Sequence, residues 1–98
     1  MAERFQDLRS DRRRVYRLAP DLLLVFKPRG HREDEHSHAH RQRLRVLRGA
    51  LLVRTARTTV KLETASKPLT LAPGRRHATE ALADTWLVAE TLDSGVSR

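Results

Sequence analysis

Between residues 35 and 47 the side chains alternate so strictly that an extended backbone is the natural reading. His36, His38, His40 and Gln42 fall on every second position, followed in the same phase by Leu44 and Val46. Successive side chains of a β-strand project to opposite faces, so these six share one face. The other face reads Glu35, Ser37, Ala39, Arg41, Arg43 and Arg45, polar apart from one small alanine. A strand whose inner face begins with imidazoles and ends in aliphatics predicts one wall of a barrel with a metal site inside.

The rest of the chain repeats this scale of element. Val15 to Leu18 and Leu22 to Lys27 read as short strands separated by the turn signal Ala19-Pro20-Asp21, and Lys27-Pro28-Arg29-Gly30 closes the second. Residues 30–34 read as a polar loop leading into the histidine strand, and Gly49 marks a tight bend after it. Ala50 to Arg54 and Thr58 to Glu63 read as a hairpin, Pro68 to Leu71 as a short strand, Pro73-Gly74 as a turn, and His77 to Leu82 and Trp86 to Leu92 as the last strands. Short strands at regular spacing, without an amphipathic helix, predict an all-β sandwich or barrel. The domain is expected over residues 15–93, after a flexible basic arm at 1–14 and before a frayed tail at 94–98.

At 98 residues the chain makes one domain with a small core. It has no cysteine, so thiolate ligands and disulfides are ruled out. Any metal must be held by imidazole, carboxylate or amide groups, which suits zinc, iron, manganese, nickel or copper(II). No apolar run approaches the roughly 20 residues of a membrane helix. Met1 to Asp11 lacks the apolar segment of a secretory signal, and the expected location is cytoplasmic. The net charge of +8, from 20 Lys and Arg against 12 Asp and Glu, invites a nucleic-acid reading. The arginines do not gather on one element, however: the densest group is at residues 12–17, and Arg41, Arg43 and Arg45 form an outward row that also blunts sheet association. Nucleic acid is therefore not the expected partner.

Two spaced motifs match a family. Gly30, then His36-Ser37-His38, Gln42 and Gly49 resemble the first cupin motif, and Ala72-Pro73-Gly74-Arg75-Arg76-His77 resembles the second. The resemblance covers about residues 22–92. It implies a single jelly-roll barrel of short antiparallel strands, with His36, His38 and His77 binding one divalent metal and Gln42 as the fourth ligand. Gln42 stands where glutamate is usual, leaving the site one negative charge short. Ser66, Ala72 and Ala81 replace the usual glycine, proline and asparagine at turn and packing positions. The His-Ser-His-x-His-x-Gln pattern resembles a subset of small bacterial cupins that includes lyase-pathway proteins opening unsaturated uronates. An acidic residue and an aromatic of that subset fall here at Ala89 and Thr91, so the resemblance supports the metal site rather than the uronate reaction.

Three neutral imidazoles fix a divalent ion and leave positions open to water or substrate. A neutral amide donor such as Gln42 leaves the metal a stronger Lewis acid towards a bound oxyanion, while a three-histidine site also suits iron with dioxygen. The expected ligand is a small anionic or chelating metabolite, with lyase, isomerase and dioxygenase chemistry all open; the alternative is a non-catalytic metal-bearing sensor or ligand-binding barrel. No catalytic residue is assigned. His40, Trp86 and Tyr16 are expected near the pocket, with core packing the competing role for both aromatics. Phe26 is read with Tyr16, at the barrel mouth or in the core. His31, Glu33, Asp34 and Glu35 are expected to be solvated. Glu80 and Glu90 become candidate bases only if they face inwards, and Arg54, Arg75 and Arg76 are surface residues that would serve only a substrate carboxylate. A chain this short gains core by dimerising, and an exchanged strand within residues 1–18, carrying Val15, Tyr16 and Leu18, is the expected route.

Overall fold

The computed structural model describes residues 13–92. The expected tail at 94–98 and most of the expected basic arm lie outside them. Nine strands account for the described chain, and no helix occurs among the described residues. In order they are β1 (Arg14–Ala19), β2 (Leu22–Lys27), β3 (Arg32–His36), β4 (Gln42–Arg48), β5 (Ala50–Thr55), β6 (Thr59–Glu63), β7 (Leu69–Leu71), β8 (His77–Ala81) and β9 (Thr85–Thr91). They form two antiparallel sheets, β1-β2-β9-β4-β7 and β3-β8-β5-β6, which face each other as a jelly roll without closing into one continuous ladder.

The core lies between the sheets, where period-two alternation delivers one face of each strand. Val25 of β2, Leu44 and Val46 of β4, Leu51 and Val53 of β5, Leu62 of β6, Leu71 of β7, and Leu87 and Ala89 of β9 are all buried together. The hairpin of β5 and β6 follows the alternation read from the sequence, and β2 pairs with β9.

The histidine segment departs from the expected single strand. It runs as β3 only to His36, crosses between the sheets at residues 37–41, and resumes as β4 at Gln42. Pairing forces the break. His36 lies opposite His77 in the four-stranded sheet, whereas Gln42 lies opposite Leu71 and Thr91 in the five-stranded one. The expected polar loop at 30–34 is therefore largely strand. His31, expected in solvent, is 5% exposed.

One corner ties the two sheets together. Gly49, between β4 and β5, adopts φ +94°. Its missing side chain admits the β8–β9 turn, so that a Cβ there would meet the Asp84 carbonyl oxygen and lie 2.7 Å from Thr85 Oγ1. Thr85, fully buried, uses that hydroxyl to accept from the Ala50 N–H at 3.2 Å, and the Ala83 and Ala50 carbonyls lie 2.7 and 3.0 Å away to take its proton. Asp84 Oδ1 in turn accepts from the Arg29 N–H at 2.8 Å, which holds the turn after β2 against the same corner.

Candidate metal centre

Three histidines from two separate segments meet on the wall of the inter-sheet space. His36 ends β3 and His77 opens β8, and their antiparallel register places them side by side. His38 comes from the crossing loop, whose position is set where its carbonyl accepts from the Gly74 N–H at 2.8 Å. The Pro73-Gly74 turn of the second motif thus holds the loop of the first. Ring centroids are 4.4 Å apart for His36 and His77, 5.0 Å for His36 and His38, and 5.4 Å for His38 and His77. One ring nitrogen from each lies within 4.8 Å of the other two.

The donor chemistry fits a divalent ion. His36 Nδ1 lies 2.8 Å from the Asp34 carbonyl and His77 Nδ1 lies 3.1 Å from the Arg75 carbonyl. A carbonyl only accepts, so each Nδ1 carries the hydrogen and each Nε2 keeps its lone pair. That backbone-oriented tautomer is the one a metal-ligating histidine uses. Burial lowers the pKa of His77 and His38 below the usual 6.5, aided by the neighbouring imidazoles and opposed by Glu33 and, for His77, by the Arg75 carbonyl. Position for all three, the tautomer for His36 and His77, and the lowered pKa for His38 and His77 favour imidazoles ready to donate to a metal.

The triad borders a cavity of about 140 Å³ between the sheets, room for roughly five waters at ~30 Å³ each. Gln42 borders the same cavity, and its deeper wall is apolar, with Val25, Leu44, Leu51 and Leu87. His40, Trp86 and Tyr16 do not border it. His40 is exposed on the crossing loop, because the break after His36 ends the alternation that would have turned it inwards. Trp86 and Tyr16 share the outer face of the five-stranded sheet, where Trp86 packs on Phe26 at 4.9 Å and on Tyr16 at 6.3 Å between ring centroids. On β9 it is Leu87 and Ala89 that face in.

The candidate carboxylates are also redistributed. Glu90 pairs with Arg43 at 2.6 Å and Glu80 with Arg32 at 3.5 Å, and neither borders the histidine cavity. Arg76 pairs with Glu35 at 3.2 Å, and Arg54 and Arg75 also lie away from the cavity. The polar groups that do enter it are Lys27, Glu33, Thr79 and Arg13, which the sequence reading did not assign to the site. Lys27 Nζ donates to Glu33 Oε1 at 2.8 Å and to Thr79 Oγ1 at 3.0 Å, and Arg13 Nη1 donates to Glu33 Oε2 at 2.7 Å. Burial draws the Lys27 pKa down although Glu33 opposes it. Glu33 is held below its usual value by Lys27 and Arg13, against the upward push of its own burial. Lys27 is in phase with Leu23 and Val25 on the inner face of β2, a pattern legible in the sequence, whereas Glu33 falls in the stretch expected as a polar loop and is strand only through its pairing with Thr79.

No family model and no curated protein matches this sequence. Solved structures do match. A cupin superfamily protein from Desulfitobacterium hafniense DCB-2 superposes with a TM-score of 0.70 at 13% identity, over 82% of this chain and 74% of that one. KdgF from Halomonas sp. gives 0.63 at 25% identity, over 79% and 74%. The cupin_2 domain of an XRE family transcriptional regulator from Enterobacter cloacae gives 0.66 at 16% identity, over 79% and 92%. The likeness is one of fold, and it agrees with the spacing of the two histidine motifs: the chain has the fold of a small cupin domain.

Proposed function

We propose that this domain holds one divalent metal through His36, His38 and His77, with Gln42 as fourth ligand, and binds a small anionic or chelating metabolite beside it. The observation that carries the reading is the triad itself: three imidazole nitrogens within 4.8 Å, two of them with Nδ1 committed to a backbone carbonyl. A metal so bound would supply Lewis-acid polarisation of a ligand oxygen or, for iron, redox chemistry. The residues of the chain do the rest: the apolar wall excludes water, and the cationic groups at Lys27 and Arg13 favour an anion.

Metal content tests this directly. Untagged protein purified without added metal is expected to carry close to one zinc, iron, manganese, nickel or copper ion per chain by mass spectrometry, and His77→Ala to lose it. Absence of metal from both proteins, with none taken up on titration, would end the metal and enzyme readings together.

A second, non-catalytic reading is favoured by two observations. Glu80 and Glu90 point away from the cavity and Glu33, which enters it, is held by Lys27 and Arg13, and one structural relative is a domain of a transcriptional regulator. In this reading the metal-bearing barrel senses or stores its ligand. Oxygen consumption or turnover of candidate metabolites by metal-loaded protein separates the two.

We also read the domain as a cytoplasmic homodimer. Strand β1 is a sheet edge, and its Val15, Tyr16 and Leu18 are 45%, 43% and 56% exposed. Exposed apolar side chains on an open edge favour pairing with a second copy. Light scattering at micromolar concentration is expected to give about twice the 11.3 kDa chain mass; a monomeric mass would count against it.

A further inference from the structure

We infer that Lys27 and Arg13 form an anion subsite in the histidine cavity, which selects a short dicarboxylate with a 2-hydroxy or 2-oxo acid at its other end. This rests on the metal reading above and adds the ligand class to it.

Lys27 is the anomaly that leads there. Its side chain is only 6% exposed, yet it stands in phase with Leu23 and Val25 on the inner face of β2. Taking an ammonium out of water is expensive, and a buried ion pair seldom repays that cost better than an apolar pair of similar volume. Apolar residues in place of both Lys27 and Glu33 would close the same wall more cheaply. Structure alone therefore gives no reason for the lysine, while a cavity that receives an anion does.

The local charge count agrees. Among the described residues bordering the cavity, two cations, Lys27 and Arg13, face one carboxylate, Glu33. Glu33 bridges both, at 2.8 and 2.7 Å, and so aligns them while leaving one positive charge uncompensated. Lys27 Nζ has three donors, and Glu33 and Thr79 take two of them. Arg13 is 41% exposed and brings its guanidinium to the cavity from the β1 side.

The spacing limits the ligand. Thr79 and His77 are same-face neighbours on β8, roughly 7 Å apart along the strand. Lys27 Nζ touches Thr79, so the gap from the histidine triad to Lys27 is of this order, and a bridging ligand whose oxygens stop a contact of about 2–3 Å short at each side needs its polar ends only a few ångströms apart. A chain of about four or five carbons meets this span. The histidine end wants two adjacent oxygens for chelation, which a 2-hydroxy or 2-oxo acid offers, and the Lys27 end wants a carboxylate. The apolar wall formed by Val25, Leu44 and Leu87 suits the methylenes between them.

The test compares malate with 2-hydroxybutyrate, which shares the chelating end but lacks the distal carboxylate. Calorimetric titration of metal-loaded protein is expected to show malate binding roughly 10- to 100-fold more tightly, the range for one charge-assisted hydrogen bond. Lys27→Met is expected to remove that preference at full metal content and to melt lower than the parent protein, because Glu33 and Thr79 lose their buried partner. Arg13→Gln, at the cavity edge and outside the core, is expected to reduce the preference several-fold. Equal binding of the two acids at full metal content would overturn the subsite alone. So would a Lys27→Met protein that melts much lower yet keeps its preference, since the lysine would then be purely structural. Failure to take up metal would overturn the metal reading and the chelating ligand with it.

Discussion

Gly49→Ala is expected to cost the domain about 3 kcal/mol and to lower its melting temperature by roughly 15 °C. Two causes add. The backbone at Gly49 has φ +94°, which an L-residue adopts only at a cost of about 1–3 kcal/mol. The new Cβ would also meet backbone rather than a flexible side chain: the Asp84 carbonyl, and Thr85 Cα at 2.8 Å. Neither can yield without moving the β8–β9 turn, which the buried Thr85 hydroxyl and the Arg29–Asp84 hydrogen bond hold in place. Gly30→Ala is the matched control. Its φ is +88°, but a Cβ there meets nothing within 4 Å, so only the conformational part of the penalty, about 1 kcal/mol, is expected. Circular-dichroism melts of the two variants check the difference. Equal melting temperatures would mean that the corner is softer than its contacts indicate.

Metal loading is expected to move stability by a similar amount in the other direction. A ligand that binds only the folded state at a hundredfold excess over its Kd contributes about 2.7 kcal/mol, or ~10–20 °C in a domain of this size. Chelator-treated protein should melt lower by that margin, and His77→Ala should show no margin at all. The metal-free protein should carry a pH dependence of its own. Burial holds His38 and His77 below the usual 6.5, so between those lowered values and 6.5 the unfolded chain binds more protons than the folded one. Unfolding free energy then rises with pH through the window: the contribution is fully present above about 6.5 and is lost as pH falls through the folded-state values. Because metal binding also needs neutral imidazoles, acid weakens the loaded protein in the same sense. Urea midpoints of chelator-treated protein from pH 5 to 7 should increase with pH. A midpoint that stays flat, or moves the other way, would show that the imidazoles are as solvated in the fold as in the unfolded chain.

The sequence by itself determined the all-β class, most strand positions and the core. Period-two burial is a local property: the phase of Leu44 and Val46, or of Leu51 and Val53, survives into the structure because each strand has one wet and one dry face. The histidine motifs were legible for a similar reason, since glycine spacing encodes bends such as those at Gly49 and Gly74. Only the tertiary structure decided where the alternation stops. His36 and Gln42 belong to different sheets because their partners, His77 on one side and Leu71 with Thr91 on the other, lie far along the chain, and no local pattern records that choice. With it went the place of His40, left in solvent; Tyr16 and Trp86 stack on the outer face through the alignment of β1, β2 and β9. The same non-local pairing set Glu33 opposite Thr79 and carried Lys27 from the other sheet to meet them, so the polar end of the cavity exists only once the two sheets have closed on each other.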